Sequence, residues 1–291
     1  MVYSHNDFKY IDMHTHFFPK NIFRAIWNLF ESKDDQGKVL GWPINYKHST
    51  EELVKFLKDK NVREYTTYNY AHKKGVAKFI NSWTIEFVKN HKKAIPFGCV
   101  FPEDEDRLEY VINLFEDHNF KGIKLQPLVQ NFYLDDERMH DIYKEIIDRN
   151  KWLTVHAGTA PYTNKYLGFR NFLSFIKKFP NINVIVAHLG TYEYEDFFSL
   201  IDRYENLYLD TSMVYVPEEI YYRWKRNFKH PSSELLESNQ ERLLYGSDFP
   251  NIPFDYEQSS KGLLKLELPK SFYRNIFYGN AKKILKNRKK S

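Results

Sequence analysis

The sequence predicts a (β/α)8 TIM barrel, an α/β fold, and three observations support this prediction. The chain has 291 residues, which suits a barrel of about 250 residues with room for longer loops. Short apolar segments alternate with longer amphipathic ones along the chain, as in repeated βα units around a parallel sheet. Several apolar segments also end in a histidine or an aspartate, at the position where barrel enzymes place their functional groups.

Eight apolar segments have the length and the β-branched or aromatic composition of strands. Each is separated from the next by enough chain for a helix and its loops. The predicted strands are Tyr10 to His14, Tyr65 to Tyr70, Ala94 to Val100, Gly122 to Leu125, Trp152 to His156, Asn183 to His188, Leu207 to Asp210 and Arg242 to Tyr245.

Amphipathic segments between these strands predict helices, and most begin with acidic residues that suit the positive end of a helix dipole. A long first βα loop is predicted at about 17–48 and a C-terminal helix at about 270–287. Because no internal repeat or linker is evident, residues 1–291 are predicted to form a single barrel domain. The other predicted helices are Thr50 to Asp59, Asp104 to Asp117, Asp135 to Arg149, Arg170 to Phe179 and Glu193 to Tyr204.

Composition narrows the class of protein. The hydrophobic fraction of 42% and the charged fraction of 28% are ordinary for a globular domain. Cys99 is the sole cysteine, so no intrachain disulfide can form and a cytoplasmic location is expected. We find no signal-peptide pattern and no run of roughly 18 apolar residues. Much of the net charge of +5 comes from the tail Lys282 to Ser291; such tails are usually solvated, so neither nucleic-acid nor membrane binding is expected.

The first chemical signal is the motif Ile11-Asp-Met-His-Thr-His16. Alternate side chains of a strand share one face, so His14 and His16 can offer two imidazole nitrogens to one metal ion. By itself the signal is weak, because the 11 histidines of the chain would give roughly 0.4 such pairs by chance. Its position at the end of the first predicted strand gives it weight.

Three further predicted strands end in, or are closely followed by, polar side chains. Two apolar segments end in His156, followed by Ala-Gly, and His188, followed by Leu-Gly, and Asp248 follows the last strand before Phe-Pro. A single histidine or aspartate at such a position is more often a structural hydrogen-bonding group. Four strand ends that together supply four histidines and one aspartate predict a functional site at the carboxyl ends of the strands.

These motifs resemble the amidohydrolase superfamily, in its amidohydrolase-2 branch related to aminocarboxymuconate-semialdehyde decarboxylase. They span nearly the whole chain and are specific to the superfamily, but they are not specific to one reaction. The matching segments are Ile11-Asp-Met-His-Thr-His16, Gly122-Ile-Lys-Leu-Gln-Pro127, Val186-Ala-His-Leu-Gly190, Tyr245-Gly-Ser-Asp-Phe-Pro250 and Gly279-Asn-Ala281.

The resemblance implies that one divalent ion, most often zinc in this branch, is bound by His14, His16, His156 and Asp248. His188 would then lie beside the metal, where it acts with Asp248 in catalysis, binds substrate or completes a second metal site. Lys124 is interpreted as a substrate-side group. The alternative, which binuclear members of the superfamily show, is a carboxylated lysine that bridges two metal ions.

Three more residues are candidate substrate contacts. Gln126 stands where related sequences often carry a histidine, and His72 and Lys73 follow the second predicted strand. For His72 and Lys73, a solvated loop is an equally good interpretation. The remaining histidines lie in polar surroundings and are expected at the surface: His5, His48, His91, His118, His140 and His230.

A metal site with three histidines, one aspartate and an open position is catalytic, because structural zinc closes its shell with four protein ligands that typically include cysteine. The predicted function is hydrolysis of a C–O or C–N bond in a small carboxylate-bearing, anionic substrate by metal-activated water. Asp248 and His188 would move the protons. Non-oxidative decarboxylation of a small carboxylic acid, aromatic ones included, would use the same residues and is the alternative.

Two other classes of function are disfavoured. A metal-dependent deoxyribonuclease of the TatD kind should carry a glutamate before Gly-Leu-Asp, which is absent, and its last motif should not be Gly-Ser-Asp248. A barrel that only binds a ligand should have lost a metal ligand, and none of the four is missing. Assembly as a homodimer is left open.

Overall fold

The structure is a computed structural model that describes residues 3–33, 35, 41–223 and 228–286. All pairings between neighbouring strands are parallel, as expected for βα units. Within the described residues the strands are β1 (Tyr10–Asp12), β2 (Val62–Thr66), β3 (Ala94–Ile95), β4 (Phe97–Cys99), β5 (Gly122–Leu125), β6 (Trp152–Val155), β7 (Asn183–Val186), β8 (Leu207–Asp210) and β9 (Leu243–Leu244).

The strands pair in chain order, as a three-stranded sheet β1-β2-β3 and a six-stranded sheet β4-β5-β6-β7-β8-β9. At the seam between β1 and β9, Met13 N donates to Tyr245 O at 2.9 Å and Asp248 N donates to His14 O at 2.8 Å. At the other seam, Phe97 N donates to Thr67 Oγ1 at 3.1 Å. The predicted barrel architecture is therefore confirmed, with regular pairing interrupted at two seams.

Six predicted strands agree with the observed ones to within two residues at each end, and the second and third differ more. The third is divided at Pro96 into β3 and β4, because proline has no N–H for a sheet ladder. The second begins at Val62 rather than Tyr65. Its exposed or half-buried Arg63 and Glu64 hide the strand in the sequence, and the apolar run that follows them continues beyond the strand toward the mouth of the barrel.

Helices follow most of the strands. The predicted helix Thr50 to Asp59 is confirmed at both ends, and its first turn is capped by Ser49, whose N–H donates to Glu52 Oε2 at 2.8 Å. The helices are α1 (Lys20–Glu31), α2 (Thr50–Asp59), α3 (Val76–Asn90), α4 (Arg107–Glu116), α5 (Pro127–Gln130), α6 (His140–Asp148), α7 (Phe169–Lys178), α8 (Tyr194–Phe198), α9 (Glu218–Arg223), α10 (Ser233–Ser238), α11 (Gln258–Leu264), α12 (Lys270–Arg274) and α13 (Asn280–Leu285).

Several predicted helices are shorter than expected. The segment from Glu193 to Tyr204 forms only the five-residue α8, and the C-terminal helix is interrupted by a π-helical segment at Asn275–Gly279. Residues 287–291, the end of the predicted C-terminal helix and of the basic tail, lie outside the described residues, as do 34 and 36–40 of the long first loop. Among the helices that are described, none is long and apolar enough to cross a membrane.

Successive residues of a strand point to two different apolar layers, one under the helices and one inside the barrel. On β8, Leu207 and Leu209 belong to the cluster that contains the buried helix residues, whereas Tyr208 belongs to a second cluster with apolar residues from strands across the ring. Because side chains alternate along a strand, Asp210 shares the inner face with Tyr208. The strand thus directs a carboxylate toward the centre of the barrel at its carboxyl end.

The expected surface position of His5 is wrong. Its side chain is buried, with Nδ1 2.7 Å from Ser260 Oγ and Nε2 2.9 Å from Lys60 O. The imidazole also stacks on Tyr10, with ring centroids 4.4 Å apart. Polar sequence neighbours suggested exposure, but the partners that make burial favourable come from distant parts of the chain.

Candidate metal centre

The carboxyl ends of the strands form the floor of a large cavity. His14 and His16 follow β1, His156 follows β6, His188 follows β7 and Asp248 follows β9. All five side chains line one cavity of about 550 Å³. The structure therefore brings together the residues that the sequence analysis placed at four separate strand ends.

Three of these side chains converge on one point. His16 Nε2 lies 2.8 Å from Asp248 Oδ1, and His14 Nε2 lies 3.4 Å from the same oxygen. The ligand-type atoms of the three residues are all within 4.8 Å of one another. Two imidazole nitrogens and a carboxylate oxygen at such separations are typical of a site for a divalent transition metal.

The outer nitrogens of both imidazoles are held by the protein. His14 Nδ1 donates to Asp210 Oδ2 at 2.8 Å, and His16 Nδ1 donates to the carbonyl oxygen of Tyr68 at 3.0 Å. Each ring therefore carries its hydrogen on Nδ1 and directs the lone pair of Nε2 toward Asp248. Such outer hydrogen bonds fix the tautomer and orientation of metal-binding histidines.

The sequence around Asp248 explains how β9 can approach β1 so closely. A Cβ atom on Gly246 would lie 2.6 Å from His14 Cβ, so a larger residue would displace the histidine. Asp248 itself has a positive φ of 69°, which aspartate tolerates better than most residues. With its N–H bonded to His14 O, this backbone conformation holds the carboxylate beside both imidazoles.

Asp210 and Ser212 are part of the site, although the sequence analysis did not select them. Asp210 Oδ1 accepts the backbone N–H groups of His188 and Ser212, each at 3.1 Å, as well as the Ser212 hydroxyl. His188 Nδ1 lies 2.8 Å from Ser212 Oγ and donates to Ser212 O at 3.1 Å. With His14, these residues form a second group of potential ligand atoms, His14, His188 and Asp210.

A signal for Asp210 was present in the sequence. The predicted strand Leu207 to Asp210 ends in an aspartate followed by two hydroxyl residues, much as the last strand is followed by Ser247 and Asp248. Asp12 was also missed, although it lies inside the first motif. Its buried carboxylate accepts from Ser247 Oγ at 2.6 Å and from Tyr256 OH at 2.8 Å, and it ties the segments that carry His14 and Asp248 together.

His156 lies beside the cluster and joins neither group of ligand atoms within the part of the chain that the structure describes. Its ring centroid is 4.9 Å from that of His188 in an edge-to-face arrangement. His156 Nε2 donates to the carbonyl oxygen of Ala160 at 3.1 Å. The lone pair of this imidazole is therefore on Nδ1.

Lys124 and Gln126 extend from the end of β5 into the same cavity. Lys124 is 1% exposed, and its Nζ has no hydrogen-bond partner among the described residues. Gln126 Oε1 is likewise buried without a partner there. A buried polar atom without a partner is costly, so both groups are available to a bound ligand.

The two rim candidates differ in position. His72 lines the cavity, whereas Lys73 is exposed and is not one of the lining residues. Burial and the neighbouring Lys73 lower the pKa of His72 below its ordinary value. Of this pair, only His72 is placed to contact a ligand in the cavity.

Burial dominates the electrostatics of the imidazoles. It lowers the pKa of His14, and it lowers that of His188 to about 4 with help from the charge of His14. Burial alone would raise the pKa of Asp210, but His14 and the other donors hold it below its usual range. The consistent state is a neutral His14 that donates to an ionised Asp210.

The pKa values of Asp248 and Lys124 each depend on two opposing influences, burial and nearby charges. Burial would raise the pKa of Asp248, yet the close approach of His16 and the nearby imidazoles of His14 and His188 keep it below its usual range. Burial lowers the pKa of Lys124 to about 8, against the opposing influence of Asp210 and Asp248. At neutral pH the cavity floor thus holds the carboxylates of Asp210 and Asp248, a cationic lysine and the neutral imidazoles of His14, His156 and His188.

Comparison with known proteins identifies the family of the chain. The family model described as amidohydrolase matches residues 11–286. The chain belongs to the amidohydrolase family. It is therefore an enzyme of the metal-dependent amidohydrolase type, a group that contains hydrolases and decarboxylases. A search of curated proteins gives no match.

Amidohydrolases are also found among solved structures with the same fold. An amidohydrolase II superposes with a TM-score of 0.70 at 18% identity, covering 95% of this chain and 99% of that one. A probable 2-pyrone-4,6-dicarboxylic acid hydrolase from Acinetobacter baumannii, with citric acid bound, gives 0.64 at 14% identity and covers 96% and 99%. The 5-carboxyvanillate decarboxylase of Novosphingobium aromaticivorans, complexed with manganese and 4-hydroxy-3-methoxy-5-nitrobenzoic acid, gives 0.64 at 16% identity and covers 95% and 96%.

The donor set of this amidohydrolase fits a divalent metal ion. With hydrogens on the Nδ1 atoms, the lone pairs of His14 and His16 point toward an ionised carboxylate, and His16 Nε2 is only 2.8 Å from Asp248 Oδ1. Two acceptor atoms at this distance repel each other unless a cation or proton lies between or beside them. A bound metal ion removes this conflict without a change in the hydrogen bonds behind the rings.

Proposed function

We propose that the protein hydrolyses a C–O or C–N bond in a small carboxylate-bearing substrate at one divalent metal ion. The observation that carries the proposal is the convergence of His14 Nε2, His16 Nε2 and Asp248 Oδ1, with the outer nitrogens of both rings already bonded to the protein. His156 is proposed as the fourth ligand, through the Nδ1 lone pair that its bond to Ala160 O leaves free.

The metal, which we propose to be zinc, would supply a Lewis acid that polarises a substrate oxygen and activates water. The remaining chemistry belongs to side chains of the protein. Asp248 is ionised and borders the open part of the cavity, so it can accept a proton from water and return it to the leaving group. His188 donates through Nδ1 to Ser212, which leaves Nε2 as a second proton acceptor.

Lys124 is proposed to bind the carboxylate of the substrate. Its ammonium group lies on the cavity floor without a hydrogen-bond partner among the residues described, and a carboxylate would supply both the opposite charge and the missing hydrogen bonds. Gln126 and His72 line the same cavity and are proposed as further substrate contacts. For Lys73, which does not line the cavity, we propose only a contact with the substrate at the rim.

Non-oxidative decarboxylation remains the second candidate. It is favoured by the likeness to 5-carboxyvanillate decarboxylase and by Lys124, which could hold a carboxylate close to Asp248. In that reaction Asp248 would first take up a proton and then deliver it to the carbon that loses CO₂, rather than to a leaving oxygen or nitrogen. A panel of lactones, esters, amides and aromatic acids, with product acid and CO₂ measured separately, decides between the two reactions.

The Asp248→Asn variant tests the proposed proton transfer. Asparagine still offers an oxygen to the metal but cannot carry the proton, so turnover should fall by about 10²- to 10⁴-fold while metal remains bound. Elemental analysis of both proteins checks metal retention. Near-native turnover by the variant, or a preference for neutral amides over carboxylates, would contradict the proposal, as would cleavage of DNA ends.

The number of metal ions tests the role of Lys124. We expect about one ion per chain after purification without chelator, because the four proposed ligands form one shell. Two ions per chain, with the added mass of a carboxyl group on Lys124, would instead support the bridged binuclear site. Cytoplasmic location and assembly as a homodimer stay predictions.

A further inference from the structure

The cavity above the proposed metal ligands has one wall made by a single helix. On α1, Ile22, Ile26 and Leu29 all line the cavity. Residues three or four positions apart lie on one face of a helix, so these side chains form a stripe, which we call the α1 stripe. Leu29 is 61% exposed although it belongs to a strongly amphipathic helix.

α1 is anchored by side chains outside the stripe, so the orientation of the stripe is fixed. Phe23 is buried and stacks on Trp27, with ring centroids 5.1 Å apart. Trp27 Nε1 donates to Asn251 Oδ1 at 3.1 Å. At the end of the helix, Phe30 packs edge-on against Trp42 at 4.9 Å, and both side chains also line the cavity. The helix therefore satisfies its packing elsewhere and leaves an apolar stripe facing an open cavity.

Further apolar side chains line the cavity beyond α1. Leu128 and Val129 of α5 do so, as do Pro161 and Tyr162 from the loop after β6. Apolar surface left open around a cavity is characteristic of ligand-binding sites. The volume of about 550 Å³ also lies within the range of about 300–1,000 Å³ that takes drug-sized ligands.

We propose that the substrate has an apolar body of several carbons that extends from its carboxylate along the α1 stripe. This inference rests on the proposed function, because the carboxylate is assigned to Lys124 and the metal site. The polar end lies on the cavity floor and the apolar body replaces water at the α1 stripe. A second carboxylate in that position would lose its hydration against apolar side chains, so it disfavours binding.

Probe acids of increasing length test the inference. Metal-loaded protein is titrated by calorimetry with benzoate, 4-ethylbenzoate and 4-butylbenzoate, and with terephthalate as the dianionic counterpart. A buried methylene contributes about 0.8 kcal/mol, or about fourfold in affinity. With partial burial, 4-butylbenzoate should bind about 10- to 200-fold more tightly than benzoate, and terephthalate no more tightly than benzoate.

A double variant and a control variant test whether the gain in affinity from the alkyl chain depends on α1. The double variant Ile26→Ala and Leu29→Ala keeps good helix formers on α1 and should lose most of the gain from the butyl group, with benzoate affinity unchanged. Phe79→Ala is the matched control, because Phe79 is a 49% exposed side chain on α3 that does not line the cavity. It should bind all probes as the parent protein does.

The neutral pair benzamide and 4-butylbenzamide separates this inference from the proposed function. If carboxylates bind without a gain from the alkyl chain, or terephthalate binds best, the inference is wrong and carboxylate recognition stands. If the alkyl chain strengthens binding of amides and acids alike, without preference for acids, the inference stands and carboxylate recognition is wrong. Absence of binding by every probe contradicts both.

Discussion

Replacement of Asp210 by asparagine is the most informative perturbation of the site, because this residue is not itself a proposed metal ligand. Its carboxylate accepts from His14 Nδ1 at 2.8 Å and from the backbone N–H of His188 at 3.1 Å. Asparagine has nearly the same shape, but it replaces charge-assisted hydrogen bonds by neutral ones. A hydrogen bond to a charged group contributes about 1.5–3 kcal/mol and a neutral one about 1 kcal/mol.

The expected loss follows from these values. A difference of about 0.5–2 kcal/mol at the His14 bond corresponds to about a 2- to 30-fold weaker metal affinity. Loss of the outer partner of a metal-binding histidine typically weakens metal affinity 10- to 100-fold, which is of a similar order. We therefore expect the dissociation constant for zinc to rise by about 10- to 100-fold in Asp210→Asn.

The assay is a competition titration of zinc against a chromophoric chelator, with circular dichroism to verify folding. Asp104→Asn is the matched control. Asp104 is a buried carboxylate that accepts from Gly75 N at 2.7 Å and Tyr110 OH at 3.0 Å, and it is not among the residues that line the cavity. Native zinc affinity in folded Asp210→Asn, or an equal loss in both variants, would refute the positioning of His14 by Asp210.

Three further perturbations have defined outcomes. Lys124→Met should raise the free energy of unfolding of metal-free protein by up to about 3 kcal/mol at pH 7. Burial lowers the pKa of Lys124 to about 8 from 10.5, so keeping this buried lysine charged opposes folding. If urea unfolding instead shows a less stable variant, Lys124 has a stabilising partner. Glu257→Gln removes ion pairs, chiefly with Lys60, that lower the pKa of Glu257 to about 2. That stabilisation is present above about pH 4.5 and lost as pH falls toward 2, so parent and variant should differ by about 1 kcal/mol at pH 7 and converge in acid denaturation. Gly246→Ala should weaken zinc binding by displacing His14, and an unchanged affinity would show that β9 can shift.

The sequence predicted the fold and the location of the site better than its internal geometry. Strand ends are marked locally, by an apolar run followed by histidine or aspartate and a turn, so His14, His156 and Asp248 could all be assigned to one rim. Asp210 has the same local pattern, but none of the segments that match the family contains it, so the sequence analysis did not select it. The second strand was misplaced because exposed Arg63 interrupts its apolar pattern.

What the sequence could not supply is the orientation of each imidazole. That orientation depends on acceptors from other segments: Asp210 for His14, the carbonyl of Tyr68 for His16 and the carbonyl of Ala160 for His156. Two of these are backbone atoms, which carry no residue-specific signal, and the third is a side chain 196 positions away in the chain. These acceptors determine that His14 and His16 present Nε2 to the cavity while His156 presents Nδ1. The proposed metal-binding chemistry of the site therefore depends as much on the outer hydrogen bonds as on the histidines that the motifs identify.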